Sequence, residues 1–323
     1  NNEIINNLKN NKIHFFEDGL QSLLEILNNK KLIQFNTQSD KINTDIHVIT
    51  VGTPIEGESP QLNELTLITK VIAKNLKHGD LVIYRSTLPV GTTRHLLIPI
   101  LQKSGLKAGI DFNVSFAPER TVEGKAIEEL QSLPQIVGGY SEQCVRKTSQ
   151  LFKKITQTVI EVESLEAAEM IKLINNTFRD LVFSFANEVA YVADQYNINA
   201  FNLVRAANEG YPRNPIPSPS PGVGGYCLTK DPLLYSHVFT ENKKDAYHPI
   251  LGKISRKIND HASSYIYTKL HKYCQLTGKN IDSINIYIIG IAFKGIPETS
   301  DIRFSSAIEL IKCLPNRSNI SIF

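Results

Sequence analysis

Cys227 lies in the segment GGYCLTKD, residues 224–231, with two glycines ahead of it and Lys230 and Asp231 within one turn after it. A thiol of ordinary pKa, about 8.5, becomes a better nucleophile when a nearby cation favours the thiolate. A Gly-dense turn also lets backbone amides approach a ligand closely. Without such neighbours a cysteine is more often a buried apolar residue. A protease arrangement would want a histidine base beside the thiol, and only distant ones such as His237 and His248 are on offer. Lys172 and Asn176, at i and i+4, share a helix face and are flanked by Met170, Ile171, Leu173, Ile174 and Phe178. A lysine and an amide in apolar company suit donors to an oxyanion, and the plain alternative is a solvated helix surface. Glu119 and Glu123 sit in APERTVEG, residues 117–124. Two carboxylates in one loop serve acid–base work or hold sugar hydroxyls, and an exposed turn is the equal alternative. Arg85, Ser86 and Thr87 place hydroxyls at a strand end, and Phe293 and Lys294 with Asp301 and Arg303 place cations at another. Neither cluster is specific by itself.

The elements that must position these residues alternate in type. Residues 45–51 form a buried-strand pattern ending at Gly52, Thr53 and Pro54, and residues 62–76 carry apolar residues at helical spacing. Strands are expected at 80–84, 113–117 and 135–139, with a helix at 92–101. Such alternation implies a parallel sheet whose ligands lie beyond the carboxyl ends of the strands, so loops 52–57, 85–91 and 117–124 face the ligand. Between Tyr140 and Glu209 there is neither Gly nor Pro. Residues 164–194 read as one helix with Ser164 as N-cap, about 45 Å long at 1.5 Å per residue, of a kind that links domains or builds a dimer interface. Residues 212–225 are Pro or Gly at eight of fourteen positions. A helix is expected over 249–276, a strand over 283–290, a helix over 305–314 and the start of a strand at 320–323.

The 323 residues carry 35 Lys and Arg against 32 Asp and Glu, a net charge of +3, which argues against a dedicated nucleic-acid binder. The longest apolar stretch, 286–293, is far short of the roughly 20 residues of a membrane span. The four cysteines have no CxxC spacing, so neither a disulfide framework nor a zinc site is indicated, and no metal is expected. A reduced, cytoplasmic α/β protein is the default. No GxGxxG is present, and Gly19 is the only glycine before Gly52; a dinucleotide fold normally opens with that fingerprint.

Six segments in order resemble the nucleotide-sugar 6-dehydrogenases of the UDP-glucose/GDP-mannose dehydrogenase family. They are residues 44–54 (TDIHVITVGTP), 85–92 (RSTLPVGT), 117–124 (APERTVEG), 168–178 (AEMIKLINNTF), 221–232 (PGVGGYCLTKDP), and 290–294 (GIAFK) with 300–303 (SDIR). The resemblance covers essentially the whole chain. It implies Rossmann-like parallel sheets at both ends, both incomplete here, joined by a central helical domain with a long helix. The divisions it implies are an NAD-binding domain over 1–163, a helical dimerisation and catalytic domain over 164–259, and the start of a nucleotide-sugar domain over 260–323. The implied reaction is a two-step oxidation of a sugar C6 alcohol to the carboxylate with two NAD, and the implied partners are the nucleotide sugar and a second copy of the chain docked through 164–194. Cys227 matches the nucleophile that forms a thiohemiacetal and then a thioester. Lys172 and Asn176 match the oxyanion donors, Asp231 with Thr87 the water-handling pair, and Glu119 the acid/base. Val51, Gly52, Thr53, Pro54, Ser86, Thr87, Glu123, Lys230 and Arg303 match cofactor contacts. Glu119, Arg120, Lys172, Asn176, Arg213, Gly222, Gly224, Phe293 and Lys294 match substrate contacts.

The chain departs from the family pattern at three places. Tyr226 stands where many members have His or Ser. The segment PERTVEG, residues 118–124, differs from the PEFL of UDP-glucose enzymes and looks more like the branch acting on UDP-N-acetylhexosamines. The first βα unit is missing and the last domain breaks off after one helix, so the 323 residues are expected to be part of a longer chain. Other readings are a UDP-glucose or GDP-mannose 6-dehydrogenase, a non-catalytic dimerising module, and a β-hydroxyacid dehydrogenase, which would have no need of Cys227.

Overall fold

The computed structural model describes residues 2–37, 43–237, 247–315 and 319–323. The chain divides into two compact units, one of Asn1–Leu173 with His237–Tyr247 and one of Ile174–Ser236 with His248–Phe323.

The first unit opens with two amphipathic helices, α1 (Asn2–Lys9) and α2 (Leu20–Asn29). Strand β1 (Ile46–Ile49) follows, then a small hairpin of β2 (Ile55–Glu56) and β3 (Ser59–Pro60), and helix α3 (Asn63–Asn75). Strand β4 (Leu81–Tyr84) leads through loop 85–92 into a π-helical turn, Thr93–Leu97, and α4 (Ile98–Leu101). The helix expected over 92–101 is thus present but widened at its start. Pro99 has no N–H to give the preceding turn, and the ladder shifts register around it. Then come β5 (Asn113–Phe116), α5 (Ala126–Ser132), β6 (Gln135–Gly139), α6 (Glu142–Phe152) and β7 (Val159–Val162).

The five long strands form one sheet in the order β1-β4-β5-β6-β7. β1, β4 and β5 run parallel, as alternation with helices requires. The parallel expectation does not extend to β6, which meets β5 antiparallel through Ser115–Gly139 and Phe116–Gly138, with β7 parallel to β6. The chain stays at the carboxyl edge after β5: Gln135, the first residue of β6, donates from Nε2 to Pro118 O at 3.1 Å. β6 therefore starts where β5 ended and runs back.

β4, β5 and β6 are buried on both faces. Leu65, Ile72, Val82, Tyr84, Leu97 and Phe116 fill one side, and Leu81, Ile83, Val137 and Phe152 the other. β1 was expected to be buried throughout. As the edge strand of this sheet it buries only His47 and Ile49, leaving Ile46 and Val48 nearly half exposed. Two glycines of β6 let helices come close. A Cβ at Gly138 would lie 2.2 Å from Ser164 O, and one at Gly139 would lie 2.8 Å from Val145 N.

Helix α7 (Leu165–Gln195) is 31 residues long. Ser164 Oγ accepts from Ala167 N at 3.0 Å, as the N-cap reading requires. From Ile174 onward it belongs to the second unit, which adds α8 (Ala200–Asn208), α9 (Tyr226–Tyr235), α10 (Leu251–Leu276) and α11 (Ser306–Cys313). A parallel pair, β8 (Asn285–Ile288) and β9 (Asn319–Ile322), completes it. Its interior is polar where α7 and α10 meet. Asp180 is fully buried and accepts from Arg256 Nη1 (2.7 Å), Ser255 Oγ (2.7 Å) and Asn259 Nδ2 (2.8 Å). Asn259 Oδ1 accepts from Asn187 Nδ2, whose own Oδ1 takes Ser220 N at 2.8 Å. This network anchors the Pro/Gly-rich segment 212–225 through side-chain hydrogen bonds, because that segment has no ladder of its own. No helix among the described residues is long and apolar enough to cross a membrane.

Candidate functional site

The sequence-selected residues fall into two sets. In the second unit the glycine turn 222–225 runs straight into α9, so Cys227 occupies the first turn of a helix and is exposed. Gly225 has φ +87°, and Cβ atoms at Gly224 and Gly225 would sit 2.3 Å from Phe304 O and 2.6 Å from the Phe293 ring. Only glycines allow this turn to lie against residues 293 and 304. One turn along α9, Lys230 and Asp231 are buried and paired at 2.8 Å. The other Asp231 oxygen accepts from Asn176 Nδ2 of α7 at 2.6 Å. The fold thus joins Asn176 to Asp231, and it turns the Lys230 ammonium, matched to a cofactor contact, onto Asp231.

Tyr226 lies between two cations, with Lys230 Nζ 5.1 Å and the Arg303 guanidinium 5.0 Å from its ring centroid. Arg303 is also held by Asp301, and Phe293 N donates to Asp301 O at 3.0 Å. Lys294 stands over the Phe293 ring at 5.5 Å. Gly224, Phe293 and Lys294 are therefore neighbours. Gly222 packs towards Ser306 on α11, and Arg213 lies in an exposed turn over Tyr211.

In the first unit the residues gather at the carboxyl ends of β1, β4 and β5. Thr53 Oγ donates to Thr87 O at 2.6 Å, tying the loop after β1 to the loop after β4. Val51, Gly52 and Pro54 flank Thr53 on that loop. Glu119 accepts at Oε2 from Arg85 Nη2 (2.5 Å) and at Oε1 from Arg120 N and Thr121 N (2.8 and 2.9 Å). Burial pushes its carboxyl up, and Arg85 with the Thr121 donors outweighs this, leaving Glu119 below the ordinary glutamate range. Glu123 is half-buried in the same loop, and Lys172 is half-buried on α7. Ser86 Oγ is buried with no hydrogen-bond partner among the described residues. An orphaned hydroxyl at this strand end fits a polar ligand such as the nicotinamide half of NAD. Residues 51–54, 86–87 and 123 would hold that half; a Gly-rich loop for the pyrophosphate is not in the sequence.

Three residues of this region carried no assigned role from sequence. Glu169 on α7 is almost wholly buried and accepts from Gly91 N (2.6 Å) and Thr93 N (2.9 Å). Burial raises its carboxyl to about 7 against the pull of those donors. Glu17 accepts from Gly124 N (2.8 Å) and Ala126 N (2.6 Å), closing the Glu119 loop and the start of α5, where Lys125 offers no side-chain cap. Arg85 sits beneath the same loop. A charged residue inside an apolar stretch was the visible signal for Glu169; for Glu17 nothing local gave it away.

Comparison with known proteins is consistent along the whole chain. The NAD binding domain of the UDP-glucose/GDP-mannose dehydrogenase family matches residues 1–156, and that family's central domain matches residues 166–261. The UDP-N-acetyl-D-mannosamine dehydrogenase of Pyrococcus horikoshii is 32% identical over 97% of this chain and 73% of its own length. The enzyme of that name from Campylobacter jejuni is 33% identical over 96% of this chain and 75% of its own. The solved structure of the Pyrococcus horikoshii enzyme superposes with a TM-score of 0.88 at 30% identity, covering 99% of this chain and 74% of that one. The chain belongs to the UDP-glucose/GDP-mannose dehydrogenase family, a family of nucleotide-sugar dehydrogenases.

Proposed function

We propose that the protein is an NAD-dependent nucleotide-sugar 6-dehydrogenase that oxidises the C6 alcohol of a UDP-N-acetylhexosamine to the uronic acid in the cytoplasm. The observation that carries this reading is the local arrangement around Cys227: an exposed thiol at a helix start, directly after a glycine turn packed on Phe293, one turn from a buried Lys230–Asp231 pair held by Asn176. A helix start favours an anionic sulfur. The names of the relatives support the hexosamine, with N-acetylmannosamine first among them.

In this reading the alcohol is first taken to the aldehyde. The Cys227 thiolate adds to the aldehyde carbon, and Lys172 with Asn176 stabilises the resulting oxyanion. Oxidation of that adduct gives a thioester, which keeps the product attached to the chain until water, positioned by Asp231 and Thr87, releases the carboxylate and regenerates the thiol. Bound NAD supplies the hydride acceptor for each oxidation. Glu119 handles the sugar's proton, and Arg120, Arg213, Gly222, Gly224, Phe293 and Lys294 take the nucleotide sugar. Lys230 and Arg303 contribute to the cofactor side through the Tyr226 cluster. The domain division at 163/164 and 259/260 belongs to the same reading.

The reading also includes a homodimer. Met170, Ile174, Phe178, Phe185 and Val192 are each more than 40% exposed and recur at spacings of four and seven on α7, forming one apolar stripe. The test is a nucleotide-sugar panel with NADH readout. Two NADH per UDP-N-acetylmannosamine are expected, and Cys227→Ser should abolish uronate formation. Full uronate production by that variant, or no turnover of any nucleotide sugar by the wild-type protein, would overturn the reading.

A further inference from the structure

Arg85 is the first residue after β4 and only 8% exposed. Its guanidinium is fixed on three sides. Nη1 donates to Gln135 Oε1 at 3.0 Å, Nη2 donates to Glu119 Oε2 at 2.5 Å, and the plane lies 4.9 Å over the Phe152 ring. Gln135 is itself oriented, because its Nε2 donates to Pro118 O and Ile136 O and leaves only its oxygen to face the arginine. A fork held by an oriented amide and an aromatic face presents one remaining edge, and Glu119 occupies it.

Both oxygens of Glu119 are already accepting, one from Arg85 and the other from Arg120 N and Thr121 N. A proton on Oε1 would displace one of its two donors, whereas Oε2, with Arg85 on one lone pair, keeps the other open to a proton. The other acids of the loop region are spent elsewhere: Glu17 on Gly124 N and Ala126 N, and Glu129 on Val122 N at 2.6 Å. Glu123, Arg120 and Lys125 complete the charged groups of this loop.

We propose that Arg85 is a positioning residue that holds Glu119 as a carboxylate, so that Glu119 takes the proton of the substrate hydroxyl and does not donate one. This rests on the nucleotide-sugar reading given above and decides a point it leaves open, the direction of proton transfer. In the alcohol oxidation the hydroxyl O–H breaks, its proton goes to a Glu119 oxygen, the C–H hydride goes to the oxidised nicotinamide, and the C=O forms.

The test has a readout that needs neither substrate nor cofactor. The full chain carrying carboxyl-13C glutamate is titrated by NMR, with Glu119→Gln identifying the Glu119 signal. Glu119 is expected to titrate below the ordinary glutamates, to move upward in Arg85→Gln, and to move less in Arg85→Lys, which keeps the charge and loses the fork. The acid limb of kcat/KM should move upward in the same order, and Glu119→Gln should lose about 100-fold or more in kcat. An unmoved Glu119 midpoint in Arg85→Gln overturns the proposal. So does a wild-type Glu119 midpoint at or above the ordinary value, a result that stands even if Arg85→Gln does not fold. Inactivity of the wild type towards every nucleotide sugar would instead defeat the functional reading, while the NMR midpoints would still report the Arg85–Glu119 coupling.

Discussion

Glu169→Gln tests the cost of burying an acid behind loop 85–92. The wild-type carboxyl is 1% exposed and faces two backbone N–H groups, Gly91 and Thr93, at the start of the 93–101 helical segment. No cation pairs with it among the described residues' ion pairs, and Arg94 is engaged with Glu166 on the same turn of α7. Burial therefore prevails over the hydrogen bonds, and the carboxyl is raised from the ordinary 4.5 to about 7. A raised carboxyl favours the native state when protonated. Its contribution is fully present below about pH 4.5 and is lost as pH rises through about 7. At 1.36 kcal/mol per pH unit the swing is about 3 kcal/mol. Glutamine cannot ionise, so the variant should lack this slope. It also turns an NH2 towards one of the two N–H donors, which should cost about 1–3 kcal/mol at acid pH. Urea unfolding of both proteins between pH 4.5 and 8.5 should show the variant less stable at the acid end and nearly level with wild type at the alkaline end. Parallel stability curves would refute the argument, since every other titrating group is common to both proteins.

Four further outcomes are expected. Gly138→Ala forces a Cβ to 2.2 Å from Ser164 O, a backbone atom, and should lower the thermal midpoint through an overpacking cost of about 1–3 kcal/mol or more. Asp180→Ala leaves the buried Arg256 short of its main partner and should destabilise the chain by about 3–5 kcal/mol in urea, whereas Asp180→Leu combined with Arg256→Met should recover much of that. Thr53→Val removes the bond to Thr87 O and should raise the KM for NAD about fivefold, the equivalent of about 1 kcal/mol. Iodoacetamide followed by peptide mass mapping should label the exposed Cys227 well before the buried Cys144 and Cys274.

Periodicity located nearly every element because burial on one face leaves a repeat in the sequence. It gave the 31-residue α7 and its Ser164 cap to within one residue. Strand direction leaves no such trace: β6 reads as an apolar run whether it lies parallel or antiparallel to β5, and the deciding bond, Gln135 to Pro118 O, is a tertiary contact. The exposure of Ile46 and Val48 was hidden for a similar reason, since an edge strand of this sheet and a central one share the same residues. At the candidate site, Cys227, Lys230 and Asp231 were readable because one helical turn holds them. The partners of Asp231 and Glu119 lie 55 and 34 residues away, and no spacing rule foretells an amide reaching a carboxylate across such a separation.

The Glu17 clamp has a consequence for the order in which the first unit is assembled. The two amides it receives belong to residues 107 and 109 positions downstream, so the bond closes a very long loop. Closure on that scale carries an entropic cost that only the docked sheet and the docked N-terminal helices can offset. The strands can pair without it, but the backbone at Gly124 and Ala126 cannot take its working shape until both ends have arrived. The loop bearing Glu119 therefore depends for its shape on the N-terminal segment as well as on the sheet. Trimming or displacing residues 1–20 would be felt there first, as faster hydrogen exchange at those two amides above an intact sheet.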